Sequence, residues 1–526
     1  MKEWLSRCKS SHPGCYSAQG DFVPSRLLDI ISLYIPSDVD PRIVLRSELP
    51  NRPEYLALSY CWGKAQPLTT TAATLDQYRI GIPIRVIPQT ISDAIAVARA
   101  LGFRYLWIDC ICIIQDDEQD WIDESRMMGS IYSNAEIVIA ATRASAATEG
   151  FLGMRTVHRT GIARSSFRAP HAAPATYRIT RELQPGQAEG PLDSRGWAFQ
   201  ERILARRYLS FGPDEMQWVC REEALSESGE KAFLIAKPIR PFDRMVNGTD
   251  RPPAQIWREE ILRPYLSREL TRPSDNLVAL SAVAARFHSV IKGDYLAGLW
   301  SKDLIQQLLW YSTRGNQASG FPRSQYAPTW SWASVRGERH YRSFAESSDV
   351  ADLAEIVGTS VILATSNEYG PVKDGRIRIR GKLIEATLET LELSITQSCV
   401  TIDDVHLGIS DLDMPVVPYA MPAEGNGDPV LHARRIPSSE PETHQETKHS
   451  TYNTITSGLR KQRLQIRILP LMFEAAYGIT YALILGPSPT VPGCFERLGI
   501  NNFGGGPGTR WEKVVASCET REVVLV

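Results

Sequence analysis

No stretch of this 526-residue chain approaches the roughly 20 consecutive apolar residues that cross a bilayer, so no membrane span is expected. An excess of charge of either sign is also missing. A formal net charge of −2 gives no reason to expect nucleic acid or an anionic membrane as the main partner. Cysteine is sparse, nine residues, odd in number and mostly inside apolar runs, which reads as reduced core thiols rather than a disulfide framework. Neither Gly-x-Ser-x-Gly nor His-Glu-x-x-His occurs, so ordinary hydrolase and metalloprotease readings lack support. Gly504-Gly-Gly-Pro-Gly508 lacks the Lys-Ser/Thr of a phosphate loop, and no nucleotide-binding ATPase is expected. The opening Met1-Lys-Glu-Trp-Leu-Ser-Arg7 has no apolar core of secretory length, which predicts a cytoplasmic protein.

What is present is most telling in Tyr105-Leu-Trp-Ile-Asp109-Cys-Ile-Cys112-Ile-Ile-Gln115-Asp-Asp117. Eight of the nine positions from Tyr105 to Ile113 are apolar, with Asp109 the exception. So short a run, rich in β-branched and aromatic residues, predicts a strand buried on both faces of a parallel sheet. Ligands of such sheets bind outside the carboxyl ends of the strands, where Gln115, Asp116 and Asp117 would sit.

The surrounding pattern is α/β. Tyr55 to Trp62 predicts a strand stopped at Gly63, and Pro88 to Leu101 a helix with Ile91, Ala94, Ile95, Ala98 and Leu101 at helical spacing before Gly102. Asp120 to Tyr132 predicts a second helix and Glu136 to Ala141 a third strand. Strands separated by single amphipathic helices imply right-handed crossovers and a parallel sheet. The expected division is an N-terminal docking segment over 1–52, an α/β domain over 53–215, a mainly helical region over 216–350 and a β-rich region over 351–526. Met421 to Ser457, rich in Pro, Glu, Thr, His and Ser, reads as a flexible insertion. Trp330 and Trp332, at i and i+2, suit an aromatic contact between the α/β domain and its C-terminal part.

Several polar residues are candidates for a site. An unpaired carboxylate at Asp109 inside an apolar strand is costly, so Asp109 has a partner or touches a ligand. Asp116 and Asp117 can bind ribose hydroxyls or simply cap the next helix. Ser59 and Tyr60 end the first strand and can face a ligand there. Cys110 and Cys112 point to one face if the strand is regular, as core thiols. Cys8-x-x-x-His12-x-x-Cys15 supplies three zinc ligands without a fourth at a usual spacing, so it is read as docking structure and no metal is expected.

Three of these segments together resemble one family. Tyr55-Leu-Ala-Leu-Ser-Tyr-Cys-Trp-Gly63 looks like its opening motif. Leu106 to Gln115, followed by Met128-Gly-Ser-Ile-Tyr-Ser-Asn-Ala135, looks like its central motif, and Arg195-Gly-Trp-Ala-Phe-Gln-Glu-Arg202 its third. In this order they resemble the fungal heterokaryon-incompatibility (HET) domain, with Pro24-Ser-Arg-Leu-Leu-Asp29 and Pro328-Thr-Trp-Ser-Trp-Ala-Ser334 similar to flanking segments of such proteins. The resemblance implies a role in incompatibility or innate-immune-like cell death, and a fold like that of Toll/interleukin-1 receptor (TIR) domains. Some TIR domains cleave NAD with a glutamate in a Trp-x-x-x-Glu pattern, which Trp197-Ala-Phe-Gln-Glu201 matches. With Asp193 or Ser194 as helix cap, Trp197 and Glu201 share a face. The indole can then stack on a nicotinamide or adenine ring, and the carboxylate can stabilise the oxocarbenium-like charge formed as nicotinamide leaves. Glu201 is otherwise a structural ion-pair partner of Arg195, Arg202, Arg206 or Arg207. Two non-enzymatic or different roles stand beside this: signalling by self-association or by binding a polymorphic incompatibility partner, and a place in a secondary-metabolite pathway.

Overall fold

The computed structural model of the chain describes residues 1–15, 22–31, 40–64, 68–155, 162–164, 176–178, 190–227, 251–312, 326–337, 339–342, 344, 349–391, 394–402, 405–409, 411–412, 417–418, 431–432, 461–504 and 510–526. The expected insertion at 421–457 therefore lies outside the described residues, apart from 431–432, as does glycine-rich 505–508. The chain divides into two compact units, Met1–Asp250 and Arg251–Val526.

Among the described residues, the first unit is built on an eight-stranded sheet. Its strands are β1 (Arg26–Asp29), β2 (Arg42–Leu45), β3 (Tyr55–Ser59), β4 (Tyr105–Trp107) and β5 (Ile137–Ala140). After a separate antiparallel hairpin, β6 (Ile162–Arg164) and β7 (Thr176–Arg178), come β8 (Arg207–Phe211), β9 (Met216–Cys220) and β10 (Ala224–Ser226). The order across the sheet is β10-β9-β8-β5-β3-β4-β1-β2. Strands β8, β5, β3 and β4 run parallel, and the remaining pairs are antiparallel. The parallel core is thus flanked by antiparallel edges, and β9 and β10 carry the sheet past the boundary expected at 215. Strands β1 and β2 likewise make part of the expected N-terminal docking segment part of the sheet.

Among the described residues of this unit the helices are α1 (Lys2–Ser11), α2 (Leu75–Ile80), α3 (Gln89–Leu101), α4 (Asp109–Cys112), α5 (Glu118–Asn134) and α6 (Gly196–Leu204). Gly102 closes α3 in the left-handed region at φ 86°, where a side chain would be strained. The connection from β3 to β4 runs one way along the sheet, and that from β4 to β5 runs back past β3. Uniformly right-handed crossovers then require α3 and α5 to lie on opposite faces. They do. Leu56, Leu58, Leu106 and Ile137 pack with Ile91, Ala94 and Ile95 of α3, whereas Tyr55, Ala57, Trp107 and Val138 pack with Met128, Ile131 and Tyr132 of α5. Because β5 to β8 continues in the second direction, α6 joins α5 on that face, through Ala198.

One expected strand is shorter than its apolar run. β4 ends at Trp107, and Asp109 to Cys112 turn into the single-turn helix α4. Asp109 Oδ1 accepts the N–H of Cys110 at 2.7 Å, a local bond that offers the backbone an alternative to the ladder. Cys110 and Cys112 consequently face opposite sides, one in each core layer, with both thiols pushed up by burial. Buried Arg26 of β1 ties this turn to α5: it donates to Cys112 O at 2.6 Å and pairs with Asp120 at 2.5 Å and Glu124 at 3.2 Å.

The N-terminal segment packs on the α3 face, where Trp4 meets Trp218 of β9 at 6.4 Å between ring centroids. It brings Cys8, His12 and Cys15 to Cys220, supplying the fourth donor that local spacing did not offer.

Among its described residues the second unit contains an eleven-stranded sheet, mostly antiparallel, whose central pairs join Lys461–Glu474 to Ile479–Pro487 and Ile479–Pro487 to Phe495–Gly504. Helix Asp275–His288 lies in the same unit. Trp330 and Trp332 are fully buried, and their indole N–H groups donate to Gly375 O at 3.2 Å and Gly298 O at 3.0 Å. That aromatic pair is spent on the interior of this unit. Among the described residues no helix is long and apolar enough to cross a membrane.

Candidate functional site

The parallel strands, read in chain order, are arranged second-first-third-fourth, so the winding reverses beside β3. Open α/β sheets bind ligands outside the strands' carboxyl ends at such a switch point. Ser59 is the last residue of β3 and pairs in register with Ala140 of β5. Strand alternation turns its side chain to the same face as Tyr55 and Ala57, toward α5 and α6. There Ser59 Oγ donates to Glu201 Oε2 in a short hydrogen bond, and the Tyr132 hydroxyl of α5 also reaches Glu201 while donating to Leu58 O at 3.1 Å.

Glu201 is almost enclosed, at 7% exposure. Burial pushes its carboxyl up to about 7, against the lowering pull of Ser59, of the Arg195 charge and of Tyr132, while the charge of Asp109 adds to the rise. A carboxyl poised there can exchange a proton near neutral pH, as acid–base groups in sites do.

Asp109 forms the second half of the cluster. Its Oδ2 accepts from Trp62 Nε1 at 2.8 Å, and the Tyr60 hydroxyl bonds to it from the opposite face of β3. Burial pushes Asp109 up, partly offset by the Arg195 charge, Trp62, the Cys110 amide and Tyr60. Arg195, just before α6, donates to Tyr60 O and carries positive charge to both carboxyl groups. Half-buried Trp62, Asp109, Arg195 and Trp197 form the more open rim; Ser59, Tyr60, Tyr132 and Glu201 form the buried floor.

Trp197 and Glu201 share α6 at i and i+4, as expected, but the cap differs. Pro191–Ser194 form a 3-10 turn and Arg195 is the N-cap, while Asp193 pairs with Arg202 at 3.2 Å. The pairing of Glu201 is with Ser59 and Tyr132; Arg206 and Arg207 pair instead with Glu136, at 3.1 and 2.9 Å.

Asp116 and Asp117 stand apart from this cluster. Asp117 caps α5, accepting from Gln119 N at 2.9 Å and Asp120 N at 3.1 Å, and Asp116 accepts Ala72 N at 2.8 Å. Sequence reasoning did not place Tyr132, Arg195 and Trp62 in the site. The signal was available: each lies in one of the three motif segments whose other members were singled out.

Residues 55–201 match the family described as heterokaryon incompatibility protein (HET). This segment is a HET domain. A 122-residue stretch is 31% identical to heterokaryon incompatibility protein 6, OR allele, of Neurospora crassa, covering 22% of this chain and 18% of that protein. The chain thus spans less than a fifth of that relative's length. No solved structure matches the chain. All of Ser59, Tyr60, Trp62, Asp109, Tyr132, Arg195, Trp197 and Glu201 fall inside the HET domain.

Proposed function

We propose that the protein acts in fungal heterokaryon incompatibility, and that its HET domain is a TIR-like module that cleaves NAD at the Glu201 cluster. The likeness to an incompatibility protein supports the first part. The observation that carries the second is the carboxyl of Glu201, held by Ser59 at the sheet's switch point with its titration near pH 7. In this reading the bond between the ribose C1′ and the nicotinamide nitrogen breaks, and the electron pair leaves with the ring, whose positive charge is thereby neutralised. No acid is needed for that leaving group. Ionised Glu201 stabilises the oxocarbenium-like ribosyl cation, water adds to C1′, and its proton is released to solvent. Trp197 stacks on a ring of the substrate, and Arg195 lies within reach of its diphosphate.

A second reading is favoured by the depth of the carboxyl. With Ser59 and Tyr132 fully buried, the same bonds can lock α6 onto the sheet in a domain that signals by self-association or partner binding.

Incubating the purified chain with NAD and following nicotinamide by chromatography decides between them. Catalysis predicts release that Glu201→Gln reduces by roughly 10²-fold or more. Equal turnover by the variant strikes Glu201 from the chemistry, and no turnover from a folded wild-type sample, with or without candidate partners, leaves the signalling reading.

A further inference from the structure

Four soft ligands converge outside the HET domain. Cys8 and His12 are one helical turn apart on α1, whose C-cap is His12, and the turn Pro13–Cys15 folds Cys15 back over them. Cys220, the last residue of β9, arrives 208 positions after His12. The three sulfurs and the imidazole nitrogen all lie within 4.8 Å of one another. A tetrahedral Zn²⁺ with Zn–S of about 2.3 Å sets its sulfurs about 3.8 Å apart, so the ligands need little further convergence.

The surroundings match what such a site requires. His12 Nδ1 faces Cys220 Sγ at 3.3 Å, while its Nε2 lies 3.9 Å from the Glu223 carboxylate, on the side where a metal-binding imidazole takes its outer carboxylate partner. Glu223 N donates to Cys220 Sγ at 3.3 Å and Arg207 Nε to Cys8 Sγ at 3.2 Å. Three thiolates and Zn²⁺ sum to −1, which the buried guanidinium of Arg207 offsets. All three cysteines are fully buried and form no disulfide. Such a set is closed and leaves no position for substrate, as in structural rather than catalytic zinc sites. Thiolate donors select against Mg²⁺ and Ca²⁺.

We propose that Cys8, His12, Cys15 and Cys220 hold one structural zinc ion that staples the N-terminal helix to the β9–β10 hairpin. The surrounding contacts support the same join: Gly14 N donates to Glu222 at 2.6 Å, Arg221 donates to Gly14 O at 3.0 Å, and Arg7 pairs with Glu223 at 3.0 Å.

The test is elemental analysis of the full chain, purified without a metal-affinity tag. About one zinc per chain is expected, with loss from Cys220→Ser and a chelator-induced fall in wild-type Tm of roughly 5–10 °C. Should that variant fail to fold, wild-type protein loaded with Co²⁺ supplies the second measurement. It should show intense visible bands of tetrahedral cobalt with thiolate charge transfer, shifted to longer wavelength in His12→Cys. Folded wild-type protein without zinc, a pale octahedral cobalt spectrum, or a Cys8–Cys15 disulfide found by mass spectrometry overturns the proposal.

Discussion

Ser59 and Glu201, 142 positions apart, meet in a short hydrogen bond that joins the carboxyl end of the first parallel strand to α6. The bond places a titrating carboxyl inside the sheet–helix interface, so folding and proton binding are linked there.

In the unfolded chain Glu201 ionises near 4.5, and in the folded chain near 7. Between those values the folded state holds a proton that the unfolded state has lost. Stability therefore falls as pH rises through this window, by about 3 kcal/mol in all. Glu201→Gln, which cannot ionise, should flatten this slope and be more stable than wild type above pH 7. Thermal melts from pH 4 to 8 check it; parallel curves for the two proteins would falsify the linkage.

If NAD cleavage uses the ionised carboxylate, activity should rise with pH and level off above an inflection near 7. Initial rates of nicotinamide release across pH 5.5–8.5 measure this, and a rate that declines through 7 would show that the protonated form is the working one.

Asp117→Ala should cost about 1 kcal/mol, because two amide groups of the first turn of α5 lose their acceptor. Since Asp117 is a cap outside the Glu201 cluster, any NAD turnover should be unchanged. A large catalytic loss with a normal melt would return Asp117 to the site.

Arg26→Ala should be far more severe, about 3–5 kcal/mol, because it leaves Asp120 and Glu124 without their buried cation. Denaturant midpoints test this, and a cost near zero would mean that water replaces the guanidinium. Arg26→Ala combined with Glu124→Gln should recover part of the loss.

Much of the first unit was legible in local pattern. The helix over Gln89–Leu101 and its Gly102 stop follow from apolar spacing and a single left-handed residue. The run from Tyr105 to Ile113 misled because a buried strand and a buried helical turn are both apolar on every side. Asp109 was the clue, since a short carboxylate can satisfy its own neighbour's amide and start a turn. In the site, Ser59, Trp197 and Glu201 could be chosen singly, but only the crossover directions bring Tyr132 to the same face. Cys220 was invisible as a partner of Cys8 because nothing local to either residue records a contact made across the sheet.

The join between α1 and β9 also sets an order of events at the ribosome. Trp4, Leu5 and Cys8 are made about 210 residues before Trp218 and Cys220, which follow nearly the whole first unit. At ordinary rates of synthesis that is a delay of about 10–40 s. During it the α1 segment has apolar surface and thiols but no seat on β9, a span in which chaperones can reach it and oxidants can divert it.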